Sequence, residues 1–130
     1  MTSVVLDASA LMALLRAEPG AELVAASLAD SIISTVNYSE VLKKTIERGG
    51  AAEPVAAFIR SLSVAIIAFD ESQAAASAAL YPQTKEHGLS FADRACLALG
   101  VERRASVLTT ERKMGLLRLP ITVKVIRNAR

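Results

Sequence analysis

Four carboxylates stand out for where they fall in the chain. Asp7 ends the apolar run Val4-Val5-Leu6, and Glu40 follows Ile32-Ile33-Ser34-Thr35 by a few residues. Glu111 comes just after Ser106-Val107-Leu108 and the pair Thr109-Thr110, and Asp93 opens an apolar helical stretch behind Ser90. Acids brought to one place repel one another and raise each other's pKa unless a cation lies between them. A donor set of carboxylate oxygens without Cys or His suits Mg²⁺ or Mn²⁺. Each acid also has a purely structural use. Asp7 can cap a helix, Asn37-x-x-Glu40 and Ser90-x-x-Asp93 resemble capping boxes, and Glu111 can sit in a first turn, where the helix dipole favours negative charge.

The elements that must position these acids alternate between two periods. Val4–Leu6 reads as a buried strand, followed by a helix over 8–16 that stops at Pro19-Gly20 and a second helix over 21–28. β-Branched residues 32–35 read as strand two. A helix then opens at Asn37, with Glu40 in its first turn, and ends at Gly49-Gly50. Residues 53–62 form another helix and 63–69 strand three. Asp70 caps a long Ala-rich helix that Pro82 must kink or break. Helix 90–100, strand four at 106–108, a short helix over 111–117 and strand five at 121–126 complete the chain. Strands alternating with helices predict an α/β fold, a parallel five-stranded sheet sandwiched by helices in one domain over 1–130. In such sheets ligands bind at the carboxyl ends of the strands, which is where Asp7, Glu40 and Glu111 fall; Asp93 opens a helix and could join them, although spacing alone does not fix its place.

The composition narrows the classes further. With 130 residues, 52% hydrophobic and 22% charged, a sizeable core is expected and a mainly disordered chain is not. Only 4% is aromatic and Trp is absent, so a protein that binds nucleic acid by stacking many bases on exposed rings is not expected. Cys96 is the only cysteine, which leaves no internal disulfide and no cysteine-based zinc site. Met1-Thr2-Ser3 lacks a basic leader, and no apolar run reaches membrane-spanning length, so a cytoplasmic protein is expected. Residues 1–93 carry 6 Lys/Arg and 11 Asp/Glu, a net of −5, and residues 94–130 carry 9 and 2, a net of +7. The basic end is either a solvated surface or one that faces a polyanion.

Four segments together carry a resemblance. They are Val-Val-Leu-Asp7-Ala-Ser-Ala-Leu, Asn-Tyr-Ser-Glu40-Val, His87-Gly-Leu-Ser-Phe-Ala-Asp93-Arg-Ala-Cys and Val-Leu-Thr-Thr-Glu111-Arg. In this order the chain resembles the PIN-domain family, and within it the VapC-type toxins of bacterial toxin–antitoxin pairs. The resemblance implies a metal-dependent endoribonuclease with Asp7, Glu40 and Asp93 around Mg²⁺ or Mn²⁺. It also implies a VapB-like antitoxin partner and a homodimer. Glu111 stands where the family more often has Asp, so its longer side chain holds the ion through water or lies too far away. Ser9 and Thr109 match hydroxyl positions of the family's pocket, although either could equally be a cap. The chemistry is phosphodiester hydrolysis, in which a carboxylate-held Mg²⁺ activates water and neutralises charge on the phosphoryl oxygens.

The remaining residues are weighed against this reading. Arg94 and Arg112 each follow a site acid and could bind phosphate or pair with carboxylates. His87 precedes Gly88 at a helix end, where a cation is favourable, and Cys96 lies on an apolar face and reads as core. No Gly-rich phosphate loop is present. Two other functions stay open: a PIN-like module that binds RNA or a partner with little or no catalysis, and, remotely, a receiver-type signalling domain. The second lacks the acidic pair after strand one and a Lys after the last strand.

Overall fold

Val5 and Leu6 are neighbours and both have no exposed surface, yet they belong to different cores. Side chains alternate across a strand, so two buried neighbours require cover on both faces of the sheet. Leu6 packs with Leu11, Ile33, Val41, Ile59 and Leu108. Val5 packs on the other face with Ile32, Cys96, Leu97, Leu99 and Val107. The same alternation splits Ile32 from Ile33 and Val107 from Leu108.

The computed structural model describes residues 3–127. Met1 and Thr2, on which the leader reading rests, and residues 128–130 lie outside it. The elements run β1 (Val4–Leu6), α1 (Ala8–Leu15), α2 (Ala21–Ser27), β2 (Ser31–Ser34), α3 (Thr35–Glu47), α4 (Ala52–Ser61), β3 (Ala65–Ile67), α5 (Glu71–Ala79), α6 (Tyr81–Lys85), α7 (Phe91–Arg103), β4 (Ser106–Thr109) and β5 (Val123–Val125). Short 3₁₀ turns lie at Leu28–Asp30 and Arg112–Leu116. The five strands are parallel in the order β3-β2-β1-β4-β5, the α/β architecture expected from the sequence. No helix among the described residues is long and apolar enough to cross a membrane.

This order places the site. From the central β1 the chain builds β2 and β3 on one side, then returns to build β4 and β5 on the other. The strand order therefore reverses between β1 and β4, and the crevice at a reversal is where parallel sheets hold ligands. Asp7 leaves β1 and Thr109 ends β4, side by side: Leu6 pairs with Leu108, and Asp7 N donates to Leu108 O at 3.2 Å.

Several boundaries differ from the sequence reading, each for a physical reason. β3 and β5 are sheet edges with one neighbour each, so only 65–67 and 123–125 are laddered within the longer apolar runs. α3 begins at Thr35 with Ser34 as its cap, since Ser34 Oγ accepts from Val36 N at 3.2 Å. Glu40 consequently lies in the second turn rather than the first, and Asn37 does not cap this helix. α7 runs past Gly100 to Arg103. Gly100 is not a stop. A Cβ there would come within 2.8 Å of Val107 Cγ2 and 2.9 Å of Ile121 Cδ1, so glycine lets the helix lie close on the sheet. Pro82 does break the Ala-rich helix, at the start of α6.

Candidate active site

Asp7 is 4% exposed at the end of β1, and three donors hold its carboxylate there. Thr109 Oγ1 donates to Oδ2 at 2.5 Å, Ser9 Oγ donates to Oδ1 at 2.7 Å, and Ala10 N donates to Oδ1 at 2.8 Å. The last is an ordinary helix cap, so Asp7 starts α1 as well as standing in the crevice. Burial pushes its pKa up to about 6; the Thr109, Ser9 and Ala10 hydrogen bonds pull against that, and the Asp93 charge adds to it. Both hydroxyls also tie Asp7 to the β4 loop, for Ser9 Oγ accepts from Thr110 N and Thr109 Oγ1 from Glu111 N, each at 2.9 Å. Ser9 and Thr109, a hundred positions apart in the chain, thus share one hydrogen-bond network with Asp7.

Asp93 and Glu40 come from α7 and α3. Asn37 Nδ2 donates to Ala92 O at 3.0 Å and ties the two helices together beside Asp93, with Glu40 one turn further along α3. Asn37 is 1% exposed, and sequence reasoning missed this role because a local capping box explained it equally well. Cys96, one turn along α7 from Asp93, feels all three charges. Burial pushes its thiol well above the usual range, and the charges of Asp7, Asp93 and Glu40 push it further. The thiol is fully buried and belongs to the core, as its apolar helix face suggested.

The acids are nonetheless partly occupied with their own helices. Ser90 N donates to Asp93 Oδ2 at 2.8 Å and Ser90 Oγ accepts from Asp93 N, the expected capping box. Glu111 is exposed and caps the 3₁₀ turn, accepting from Lys113 N at 3.1 Å. Among the described residues no three His, Cys, Asp or Glu side chains stand assembled to hold a metal ion. The donor chemistry still fits a hard divalent cation. The oxygens are carboxylates and hydroxyls, and a cation would relieve the unfavourable ionisation of buried Asp7 beside Asp93.

The two arginines diverge. The Arg94 guanidinium lies 5.4 Å from the Tyr81 ring centroid and 5.8 Å from that of Phe91. Arg112 is exposed beside Thr110, Glu111, Lys113 and Leu116, which line a groove of about 450 Å³.

Residues 4–118 match the family model of the PIN domain. This chain belongs to the PIN-domain family. No curated protein sequence matches this PIN domain, but solved structures do. It superposes on VapC20 of Mycobacterium tuberculosis, a sarcin–ricin loop cleaving toxin, with a TM-score of 0.75 at 19% identity, covering 92% of this chain and 99% of that one. A toxin–antitoxin complex from Klebsiella pneumoniae gives 0.71 at 20% identity over 93% and 100%. DNA-bound VapBC from Salmonella typhimurium gives 0.72 at 16% identity over 95% and 98%. At these identities the likeness is one of fold: this PIN domain is built as those chains are.

Proposed function

We propose that this PIN domain is a Mg²⁺- or Mn²⁺-dependent endoribonuclease, the toxin of a VapBC-type pair, restrained by a VapB-like antitoxin. The observation that carries the reading is the buried Asp7 carboxylate, held by Thr109 and Ser9 at the β1–β4 reversal and feeling the charge of Asp93. Asp7, Asp93 and Glu40 would hold the ion, with Glu111 reaching it through water. When bound, the ion supplies an activated water and neutralises charge on the scissile phosphodiester. Thr109 and Ser9 fix the Asp7 carboxylate and keep it ionisable despite its burial. Glu40, which is half-buried, would orient the attacking water. Arg112, and Arg94 if it leaves its aromatic neighbours, would contact phosphate.

The partners belong to the same proposal. Exposed Phe58 stands with Met12, Leu15, Pro54 and Val55 along a groove of about 420 Å³, and apolar surface of this kind is usually covered by a partner. A homodimer is checked by light scattering, and the antitoxin by copurification with the product of the neighbouring reading frame. The whole operates in the cytoplasm.

A second reading, a PIN-like binding module with little catalysis, draws on one observation, the acids' engagement as helix caps. Incubation with a single-stranded oligoribonucleotide separates the two. The nuclease cleaves with Mg²⁺ or Mn²⁺, stops in excess EDTA and works poorly with Zn²⁺. Cleavage unaffected by EDTA removes the metal from the reading, and no cleavage under any condition favours the binding module.

Glu111 has its own test. Losing a water-mediated contact of about 0.5–1 kcal/mol should raise the Mg²⁺ concentration for half-maximal cleavage about two- to fivefold in Glu111→Gln. Superimposable titration curves would leave it as a helix cap alone.

A further inference from the structure

A small basic pocket lies beside the Asp7 crevice; it borders the apolar groove, with which it shares Met12, Arg16 and Arg48, and the proposed metal site does not use its cations. It encloses about 190 Å³, the room of about six waters. Arg16, Lys44, Arg48 and Arg127 line it, with Ser9 and Thr110 on the side toward Asp7. Lys44 and Arg48 lie one turn apart, on the last turn of α3 and its C-cap, and Arg16 is the C-cap of α1. Four cations thus meet there from three parts of the chain.

Their charge is largely uncompensated. Glu18 is the one acid in the lining, and it pairs with Arg127 through Nη2 at 3.2 Å. Among the described residues no carboxylate comes within ion-pair distance of Arg16, Lys44 or Arg48, and the buried Nε of Arg127 has no partner. The contrast lies within one helix: Lys43, next to Lys44, pairs with Glu47 at 3.0 Å on the outer face. Like charges concentrated in a concave site attract an anion, and the arginine fork matches phosphate oxygens. The pocket opens one hydrogen bond away from Asp7, since Ser9 lines it and also donates to Asp7 Oδ1. The Asp7 carboxylate itself is not part of the lining.

We infer that this pocket is a subsite for a backbone phosphate of the RNA strand adjacent to the one cleaved, with Arg48, Lys44 and Arg16 as its main contacts. The inference rests on the proposed ribonuclease reading for its ligand. Its test needs no cleavage. Binding of a labelled single-stranded oligoribonucleotide is measured by fluorescence anisotropy in excess EDTA over a salt series, for the whole chain and its variants. Arg48→Ala and Lys44→Ala should each weaken binding about tenfold, the loss of one charge-assisted contact. Each should also make the plot of log affinity against log salt about 0.7 less steep, as one lost phosphate contact requires. Arg48→Lys should recover most of the affinity, and Lys43→Ala should bind within about twofold of wild type.

Thermal melts check that each variant folds, and Arg48, being exposed, tolerates substitution most readily. Wild-type affinity and salt slope in both alanine variants would overturn the subsite. So would loss of inorganic phosphate binding with RNA binding intact, which would mark a free-phosphate site. Because metal and hydrolysis are excluded, failure to cleave RNA in Mg²⁺ counts against the proposed activity alone, whereas failure of the wild type to bind RNA in EDTA counts against the subsite.

Discussion

Replacing Asp7 by Asn is expected to cost cleavage and to stabilise the metal-free protein at neutral pH. The carboxylate is a proposed ligand, and losing its charge should slow RNA cleavage on the order of 10²–10³-fold, the rate equivalent of a few kcal/mol of lost electrostatic stabilisation. The stability effect has the opposite sign. Burial first, and the Asp93 charge last, raise the Asp7 pKa from 3.8 to about 6 in the folded chain. Below about pH 4 the group is protonated folded or unfolded and burial costs no ionisation. Between about pH 4 and 6 the folded state binds the extra proton, so stability falls as pH rises, and above 6 the full cost, about 3 kcal/mol, is present. Asn keeps the helix cap but has one acceptor oxygen instead of two for the Thr109, Ser9 and Ala10 donors. The net gain should therefore be about 1–2 kcal/mol at pH 7.5 and shrink toward zero or below at pH 4.5. Urea unfolding in EDTA at the two pH values measures it. A variant no more stable than wild type at pH 7.5 would mean that Asp7 ionises there without penalty.

Thr109→Val should damage the same centre from the other side. The two side chains are nearly isosteric, and Thr109 is 0% exposed, so packing changes little. What disappears is the hydroxyl that donates to Asp7 Oδ2 and accepts from Glu111 N. A buried carboxylate oxygen and a loop N–H then lose partners, at a cost of about 2–3 kcal/mol at neutral pH. Removing the donor also raises the Asp7 pKa further, so the loss should be smaller in acid than at neutral pH. The acid limb of the cleavage pH profile should move upward for the same reason. Thr109→Ser keeps the hydroxyl and should restore the profile even where it loses some packing. A Val variant whose pH profile overlays wild type would show that Thr109 serves the fold and not Asp7.

Both substitutions act on residues whose positions were legible in the sequence. Strands announce themselves by apolar runs and helices by caps, so Asp7 at the end of β1, the Ser90–Asp93 box, the Asp70 cap and the break at Pro82 all follow from neighbouring residues. Parallel strands put their carboxyl ends on one edge whatever their order, which is why acids after strands could be grouped from spacing alone. Gly100 misled because its reason is not local: its missing Cβ makes room for Val107 on β4 and for Ile121 just before β5. Asn37 misled in the same way, its partner being the Ala92 carbonyl on another helix.

Which acids share a neighbourhood, and what surrounds them, was decided by strand order. Only the reversal between β1 and β4 puts Thr109 against Asp7, and only the packing of α3 beside α7 joins Asn37 to the Ala92 carbonyl next to Asp93. The basic pocket makes the point most sharply. Arg16, Lys44 and Arg48 come from the acidic part of the chain, with its net charge of −5, and they meet Arg127 from the basic end. Charge counted along the sequence averages over residues that point in different directions, whereas an electrostatic site depends on distances of a few ångströms. Lys44 and Arg48 are spaced to share one helix face, but the cations opposite them come from α1 and from the segment after β5, which only the folded chain brings there.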